Sequence, residues 1–437
     1  MALADTGQLD TTFNTTGKVL LPSPGNDTAW DVATQPDGKI VAVGSTTSST
    51  QAMVWRYNTD GTPDMSFNAA DTPGSIALDF GGDDLATSVA IAPTGKILVA
   101  GITTLNSDGF LAVLKDNGTP DDGFSLDGKL PIDSGGFDQI FGVAGTADGH
   151  VLAAGSAAGN AAVYRFDATG APDNTCAGDG SASIDAGGGS DVANDMALQP
   201  NGDIVIAGNG TTGNGFVARL LASNCSPDTA GFHNPTGIAP IDSGGSEQVL
   251  GVTLQPDGKI LAEGLTSVNN DGTLYRLNTN GTPDDGFDTD GAFGIDSGGT
   301  EVLFDARVQP DSKIVAAGST SVGGGEAAVY RVLPGGGLDP SFDGDGAIGI
   351  DVAGSDQALG LALEPDGRAV AAGQSSGPPP TGFIFRLETD PVVTAPVPTQ
   401  TTGNPGAKKK KCKKHKKKHK RSADSAKKKK CKKKKKK

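Results

Sequence analysis

A short turn recurs seven times along this chain at a nearly fixed interval. Its first copy is Gln35-Pro36-Asp37-Gly38, running into Lys39-Ile40; the others begin at Ala92, Thr146, Gln199, Gln255, Gln309 and Glu364. Between the glycine positions (Gly38, Gly95, Gly149, Gly202, Gly258, Ser312, Gly367) the intervals are 57, 54, 53, 56, 54 and 55 residues. A period of this size marks a repeat architecture and overrides any domain count drawn from length. The turn itself is mechanical. Proline presets φ at its first position and glycine accepts the positive φ that closes a short hairpin loop.

Each repeat reads as four short strands. In the first, the spacing predicts strands near 29–34, 39–43, 52–57 and 76–80, with Gly61-Thr62-Pro63-Asp64 turning between the third and fourth. The second strand ends on glycine in every copy (Gly44, Gly101, Gly155, Gly208, Gly264, Gly318, Gly373), which predicts a close backbone approach there. In the first strand, Val32 and Thr34 share one face. The other face carries Ala33, Ala90, Ala144, Ala197 and Ala362, small as expected where sheets converge on an axis. Glycine is abundant (65 residues) and aromatics are few, which suits short strands and turns better than helices. Trp30 and Trp55 fall on strands and are expected in the core.

The chain ends complement each other. The last repeat stops after its third strand, Phe383 to Leu387, while Gly7-Gln8-Leu9-Asp10-Thr11-Thr12-Phe13 matches Gly337-Leu338-Asp339-Pro340-Ser341-Phe342 and is followed by a strand at 18–21. A ring closed by pairing the N-terminal strand into the last sheet leaves only short, protected edges. The expected fold is therefore all-β: a seven-bladed β-propeller of four-stranded blades over residues 1–390, then a Pro/Thr/Gly-rich linker at 391–407 and a polybasic, disordered tail at 408–437.

The Gln-Pro-Asp-Gly-Lys-Ile core, an Arg-Leu-Asn third strand (Arg276-Leu277-Asn278) and the turn Gly281-Thr282-Pro283-Asp284-Asp285-Gly286-Phe287 recur in order, and they resemble the delta-60 repeat family of bacteria. The likeness covers roughly residues 5–388 and weakens at Thr146-Ala147-Asp148-Gly149, at Cys176 and at Ser312. It implies a β-propeller. It implies no active site.

The net charge of −15 conceals two opposite segments. Residues 408–437 hold 20 Lys, Arg421 and one Asp, leaving 15 basic against 50 acidic side chains in the rest. The tail, with runs such as Lys408, Lys409, Lys410, Lys411 and Lys427, Lys428, Lys429, Lys430, is suited to polyanions. No aromatic residue is interleaved with these lysines, which argues against sequence-specific reading of nucleic acid. No apolar stretch is long enough to span a membrane. Ala2-Leu3-Ala4 has the small-x-small form of a signal-peptidase site, so export is expected, with a cytoplasmic location as the alternative.

In a sevenfold ring, a polar residue found in every blade is structural and one that breaks the pattern is a candidate for function. Arg56, Lys115, Arg165, Arg219, Arg276, Arg331 and Arg386, with the loop acids Asp27, Asp84, Asp138, Asp191, Glu247, Glu301 and Asp356, read as staples and turn caps. The pattern-breakers are Asp31, Asp195 and Asp305, in a column otherwise Gly or Ser, together with Glu263 and Arg307. These five are the ligand-binding candidates, expected to line the channel. Asp288, Asp290, Asp343 and Asp345 faintly resemble calcium loops but lack the further spaced ligands; no cofactor is expected, calcium being the single weak option. Cys176 and Cys225 are disulfide candidates in adjacent repeats. Residues 1–407 hold only His150 and His233 and show no histidine pair at metal spacing, nucleophile elbow or phosphate-cradling loop, so no catalytic residue is assigned; in the tail Cys412, His415, His419 and Cys431 have zinc-like spacing, but the dense lysine around them opposes a cation.

The favoured reading is a monomeric, non-catalytic binding propeller, held at the cell envelope by its tail on anionic polymers. The competing readings are a lyase- or hydrolase-type propeller enzyme with its site in the channel, and a cytosolic protein associated with nucleic acid through the tail.

Overall fold

The turns do close hairpins, and the hairpins close a ring. In a computed structural model describing residues 7–22, 27–46, 50–211 and 213–389, seven four-stranded antiparallel sheets form seven blades. The inner, second, third and outer strands of blade 1 are Asp27–Thr34, Ile40–Thr46, Gln51–Tyr57 and Ser75–Leu78. Blades 2 to 6 occupy 84–132, 139–184, 192–241, 247–295 and 301–350. Blade 7 takes Asp356–Leu363, Ala369–Ser375 and Thr381–Leu387 from the C-terminal end, and Lys18–Leu20 as its outer strand. Leu9 pairs with Leu387 as Pro63 pairs with Tyr57, so the N-terminal segment completes the last repeat position for position. The linker and tail lie outside the described residues.

Each second strand runs one or two residues past the glycine expected to end it, and that glycine is required by distance. A Cβ on Gly44 or Gly208 would sit 1.8 Å from the carbonyl oxygen of Thr28 or Val192 on the adjacent inner strand. No side chain fits there.

The core is divided into seven clusters, each shared by two neighbouring blades. One face of the inner strand packs backwards: Val32 joins the cluster with Val370, Ala372 and Ile384 of blade 7. The other packs forwards, Ala33 against the cluster holding Val89 and Ile97 of blade 2. The small-residue face expected at the axis is thus a blade-to-blade contact. Blades stand radially, so both strand faces meet neighbours and only the strand's edge can face the channel.

In blades 1, 3, 4, 5 and 7 the arginine of the third strand is buried and bridges to the next blade. Arg56 Nε lies 2.8 Å from Asp64 Oδ2 in the following turn, its guanidinium stacks 4.6 Å from the Phe67 ring, and Nη1 donates to the Asp116 carbonyl of blade 2. Arg219 repeats this with Asp228 (2.7 Å), Phe232 (5.0 Å) and the Thr279 carbonyl of blade 5. The staple's acid is the Asp of the Pro-Asp turn. The loop acids instead cap their own loops: Asp84 accepts from the Phe80 N–H and Asp356 from the Val352 N–H. In blade 2 the pairing divides, Lys115 taking Asp122 and Lys96 taking Asp121.

Candidate functional site

Every inner strand slips register at one place, between Ala29 and Asp31, Ala86 and Ser88, Ile140 and Gly142, Ala193 and Asp195, Val249 and Gly251, Leu303 and Asp305, and Ala358 and Gly360. Such a bulge bends the strand and re-aims side chains. The extra residue is Trp30, Thr87, Phe141, Asn194, Leu250, Phe304 or Leu359, and all seven line a cavity of about 270 Å³. Trp30 therefore belongs to the channel wall and not to the core; Trp55 is buried as expected. Strict alternation misplaces it because the bulge adds one residue to the strand. A large side chain just before the Asp/Ser/Gly column is the signal that finds this collar.

Beneath the collar lie Asp31, Asp195, Asp305 and Arg307, which line the same cavity. The bulge leaves backbone N–H groups pointing inward, and the carboxylates collect them across blade junctions. Asp31 accepts from the N–H of Val32 (2.7 Å) and of Val89 in blade 2 (2.8 Å). Asp195 does the same with Met196 (2.7 Å) and Val252 of blade 5 (2.9 Å). Asp305 accepts from Leu361 of blade 7 (2.8 Å) and from the Arg307 guanidinium. Glu263, fully buried on the second strand of blade 5, accepts the Ala306 N–H of blade 6 (3.1 Å). Its Oε2 has no hydrogen-bond partner. Gly251 makes room for it, since a Cβ there would lie 2.4 Å from Glu263 Oε1.

Four carboxyl groups thus surround one guanidinium. Burial pushes Asp195 up to about 6 and Asp305 up to about 8, outweighing what Arg307 and the backbone N–H groups return, and the neighbouring acids add a smaller rise. Burial also raises Asp31, and burial with the charges of Asp305 and Asp195 raises Glu263 well above its ordinary value. Burial opposes the Arg307 charge, but Asp305, Asp195, Asp31 and Glu263 together hold it on more firmly. The well can therefore take up or release protons around neutrality, and it is short of positive charge whenever its acids ionise.

Other sites named from the sequence lie apart from this one. Asp288, Asp290, Asp343 and Asp345 are exposed, and Asp290 and Asp345 accept N–H bonds from Ala292 and Ala347 two residues on. Cys176 and Cys225 form a disulfide between blades 3 and 4. The tail lysines lie outside the described residues. Among the described residues, no helix is long and apolar enough to cross a membrane.

Bulged inner strands, a channel well and a closed ring of blades define a β-propeller repeat protein. Five of its repeats, residues 35–67, 92–124, 146–175, 255–287 and 309–342, match the model of the DUF5122 β-propeller, a domain of unknown function. No curated relative matches the sequence. Among solved structures, the chain is similar to YCF48 bound to D1 peptide (14% identity, TM-score 0.49, covering 87% of this chain and 96% of that one). It is also similar to the RRP9 WD40 repeats (12%, 0.47, 85% and 97%). A third is a protein of unknown function from Dyadobacter fermentans (14%, 0.41, 85% and 98%).

Proposed function

We propose that this propeller, in line with its delta-60-like repeats, is a non-catalytic binding module that receives a cationic, partly apolar ligand in its channel well. The supporting observation is the pairing of an open collar with an occupied floor. Trp30, Phe141, Leu250, Phe304 and Leu359 present apolar surface to the cavity, while Asp31, Asp195, Glu263 and Asp305 each hold a backbone N–H of the following blade. Each carboxyl is held in place by the N–H it accepts, and with Asp195 raised to about 6 and Asp305 to about 8 a cation entering the well favours their charged forms. Aromatic walls over carboxyl groups that a cation can ionise suit an ammonium or guanidinium group. In this reading the protein is exported and monomeric, and its Lys-rich tail holds it on anionic envelope polymers.

A panel of alkyl- and arylammonium compounds and arginine derivatives, titrated while Trp fluorescence is read, tests the well. Saturable quenching that vanishes in Trp30→Phe and weakens at least tenfold in Asp305→Asn supports the reading. Unchanged affinity in Asp305→Asn, with only its melting altered, makes the floor purely structural and overturns it. Deleting residues 408–437 and fractionating cells tests the tail: protein that stays cell-associated without it refutes envelope anchoring.

One observation favours the enzyme reading, the offset between Asp195 near 6 and Asp305 near 8, which resembles an acid–base pair tuned apart. Turnover of a ligand found by the titration, lost in Asp195→Asn, would establish it.

A further inference from the structure

The junction between blades 5 and 6 carries a second acidic site, on the loop side of the sheet and away from the channel well. Three carboxylates from three segments meet there: Asp271 at the start of a third strand, Asp296 in the Asp-Ser-Gly-Gly loop, and Glu301 at the start of the next inner strand, each offering an oxygen within 4.8 Å of the others. At the position of Asp271 other blades place Gln51, Asn160, Asn214, Glu326 and Thr381, and blade 2 places Asp108. Among the described residues, no Lys or Arg is paired with any of the three.

A separate observation concerns Glu301: the loop acids Asp27, Asp84, Asp191 and Glu247 also bury an unpartnered oxygen, but among the described residues only Glu301 does so within such a cluster. It is fully buried, and its Oε1 accepts from Ser297 and from Thr320 (3.1 Å). Its Oε2 is buried with no hydrogen-bond partner. A buried carboxylate oxygen left unsatisfied beside two further carboxylates calls for a cation. The homologous cluster between blades 2 and 3, Asp108, Asp133 and Asp138, lacks this feature, because both oxygens of Asp138 accept from Ser134.

We propose that Asp271, Asp296 and Glu301 bind a calcium ion that clamps blade 5 to blade 6. The donors are all hard oxygens, on which calcium and magnesium are the fitting ions. One arm, Asp296, is exposed on a loop, so the shell is irregular and finished by water, which calcium tolerates and magnesium resists. Asp296 and Glu301 each already have one oxygen held by hydrogen bonds from their own loop, Gly298 N–H and Ser297 Oγ, so the site is formed before the ion arrives.

The test uses the full chain with terbium as a luminescent stand-in for calcium, sensitised by Tyr330, whose buried phenol lies close enough to the Glu301 charge to be pushed up to about 12 by burial and that charge. The expected result is saturable emission competed away by calcium, weakened at least tenfold in Asp271→Asn and in Glu301→Gln, and retained in Asp108→Asn. Melting supplies the second readout. In chelator, Asp271→Asn melts at or above wild type, because a like charge is gone; in millimolar calcium, wild type rises by several degrees and the variant does not. Wild type that melts identically in calcium and chelator overturns the site, as does Asp271→Asn with undiminished emission. The chelator melt identifies a variant that fails to fold, and Glu301→Gln, which keeps the Ser297 and Thr320 bonds, then decides.

Discussion

Replacing Arg386 by Met tests whether the arginine staples hold the ring shut. Arg386 and Asp10 are both 1% exposed, and the guanidinium sits 2.7 Å (Nε) and 2.6 Å (Nη2) from Asp10 Oδ2. It also lies 3.2 Å from Glu364, donates to the Thr59 carbonyl of blade 1 and stacks 4.8 Å from Phe13. One side chain therefore joins blade 7, the N-terminal segment and blade 1. Methionine keeps most of the apolar volume and removes every donor. Breaking a buried pair by deleting one partner costs about 3–5 kcal/mol. Arg368 stays 2.8 Å from Asp10 and 3.0 Å from Glu364, so the lower end, about 3 kcal/mol, is expected. Urea unfolding at pH 7 reads the loss, and limited proteolysis at Lys18 reads release of the N-terminal strand. Asp10→Asn completes a double-mutant cycle. A loss below about 1 kcal/mol, or additivity of the two changes within about 0.5 kcal/mol, refutes the staple.

Four further outcomes follow from the same geometry. Asp64 and Asp339 are held down to about 2: burial opposes this, but donors from Ser66, Lys39 and Arg56, and from Ser341, Lys313 and Arg331, outweigh it. Their contribution is full above pH 4 and is lost as pH falls towards 2, so acid melts should show a steep decline there that Asp339→Asn makes shallower. Asp305 has the opposite sign: with its folded pKa raised to about 8, its protonated form favours the fold at low pH and that gain fades as pH rises from about 4 to 8. Asp305→Asn should flatten this slope in melts across pH 5 to 9. Gly208→Ala, which sets a Cβ 1.8 Å from the Val192 oxygen, should lower stability by at least about 3 kcal/mol in urea, well beyond an ordinary strand substitution. Reducing the Cys176–Cys225 bond, 49 residues apart, should cost up to roughly 4 kcal/mol by loop closure, read as a lower melting point in reductant.

Architecture was legible in the sequence because it is written in short-range turns. Pro36-Asp37-Gly38 closes one hairpin whatever surrounds it, and its recurrence counts the blades. Closure was legible because Leu9 to Phe13 repeats Leu338 to Phe342 in order. The channel was legible only in part. Asp31, Asp195, Asp305 and Arg307 broke the pattern and are found together, with Glu263 beside them. The collar was hidden because a bulge changes which residue faces the axis without changing any residue type, and Trp30 reads as an ordinary strand tryptophan until that shift is known. The staples were seen as charges but given the wrong acid. Asp64 lies eight residues from Arg56, and only the fold of the intervening turn brings it closer than the loop acids.

The floor of the well has a parity. Around the ring its column reads Asp31, Ser88, Gly142, Asp195, Gly251, Asp305, Gly360. Each aspartate follows a glycine in the preceding blade, and the backbones approach closely there: a Cβ on Gly360 would meet Asp31 Cα at 2.7 Å, one on Gly142 would meet the Met196 nitrogen at 3.0 Å, and one on Gly251 would meet the Phe304 oxygen at 3.1 Å. Glycine and aspartate thus come as couples spanning two blades. Seven is odd, so three couples leave one blade single, and that blade carries Ser88. An even ring could repeat the couple and look the same from every direction. This one cannot, and Ser88 marks the bearing from which any bound molecule would be oriented.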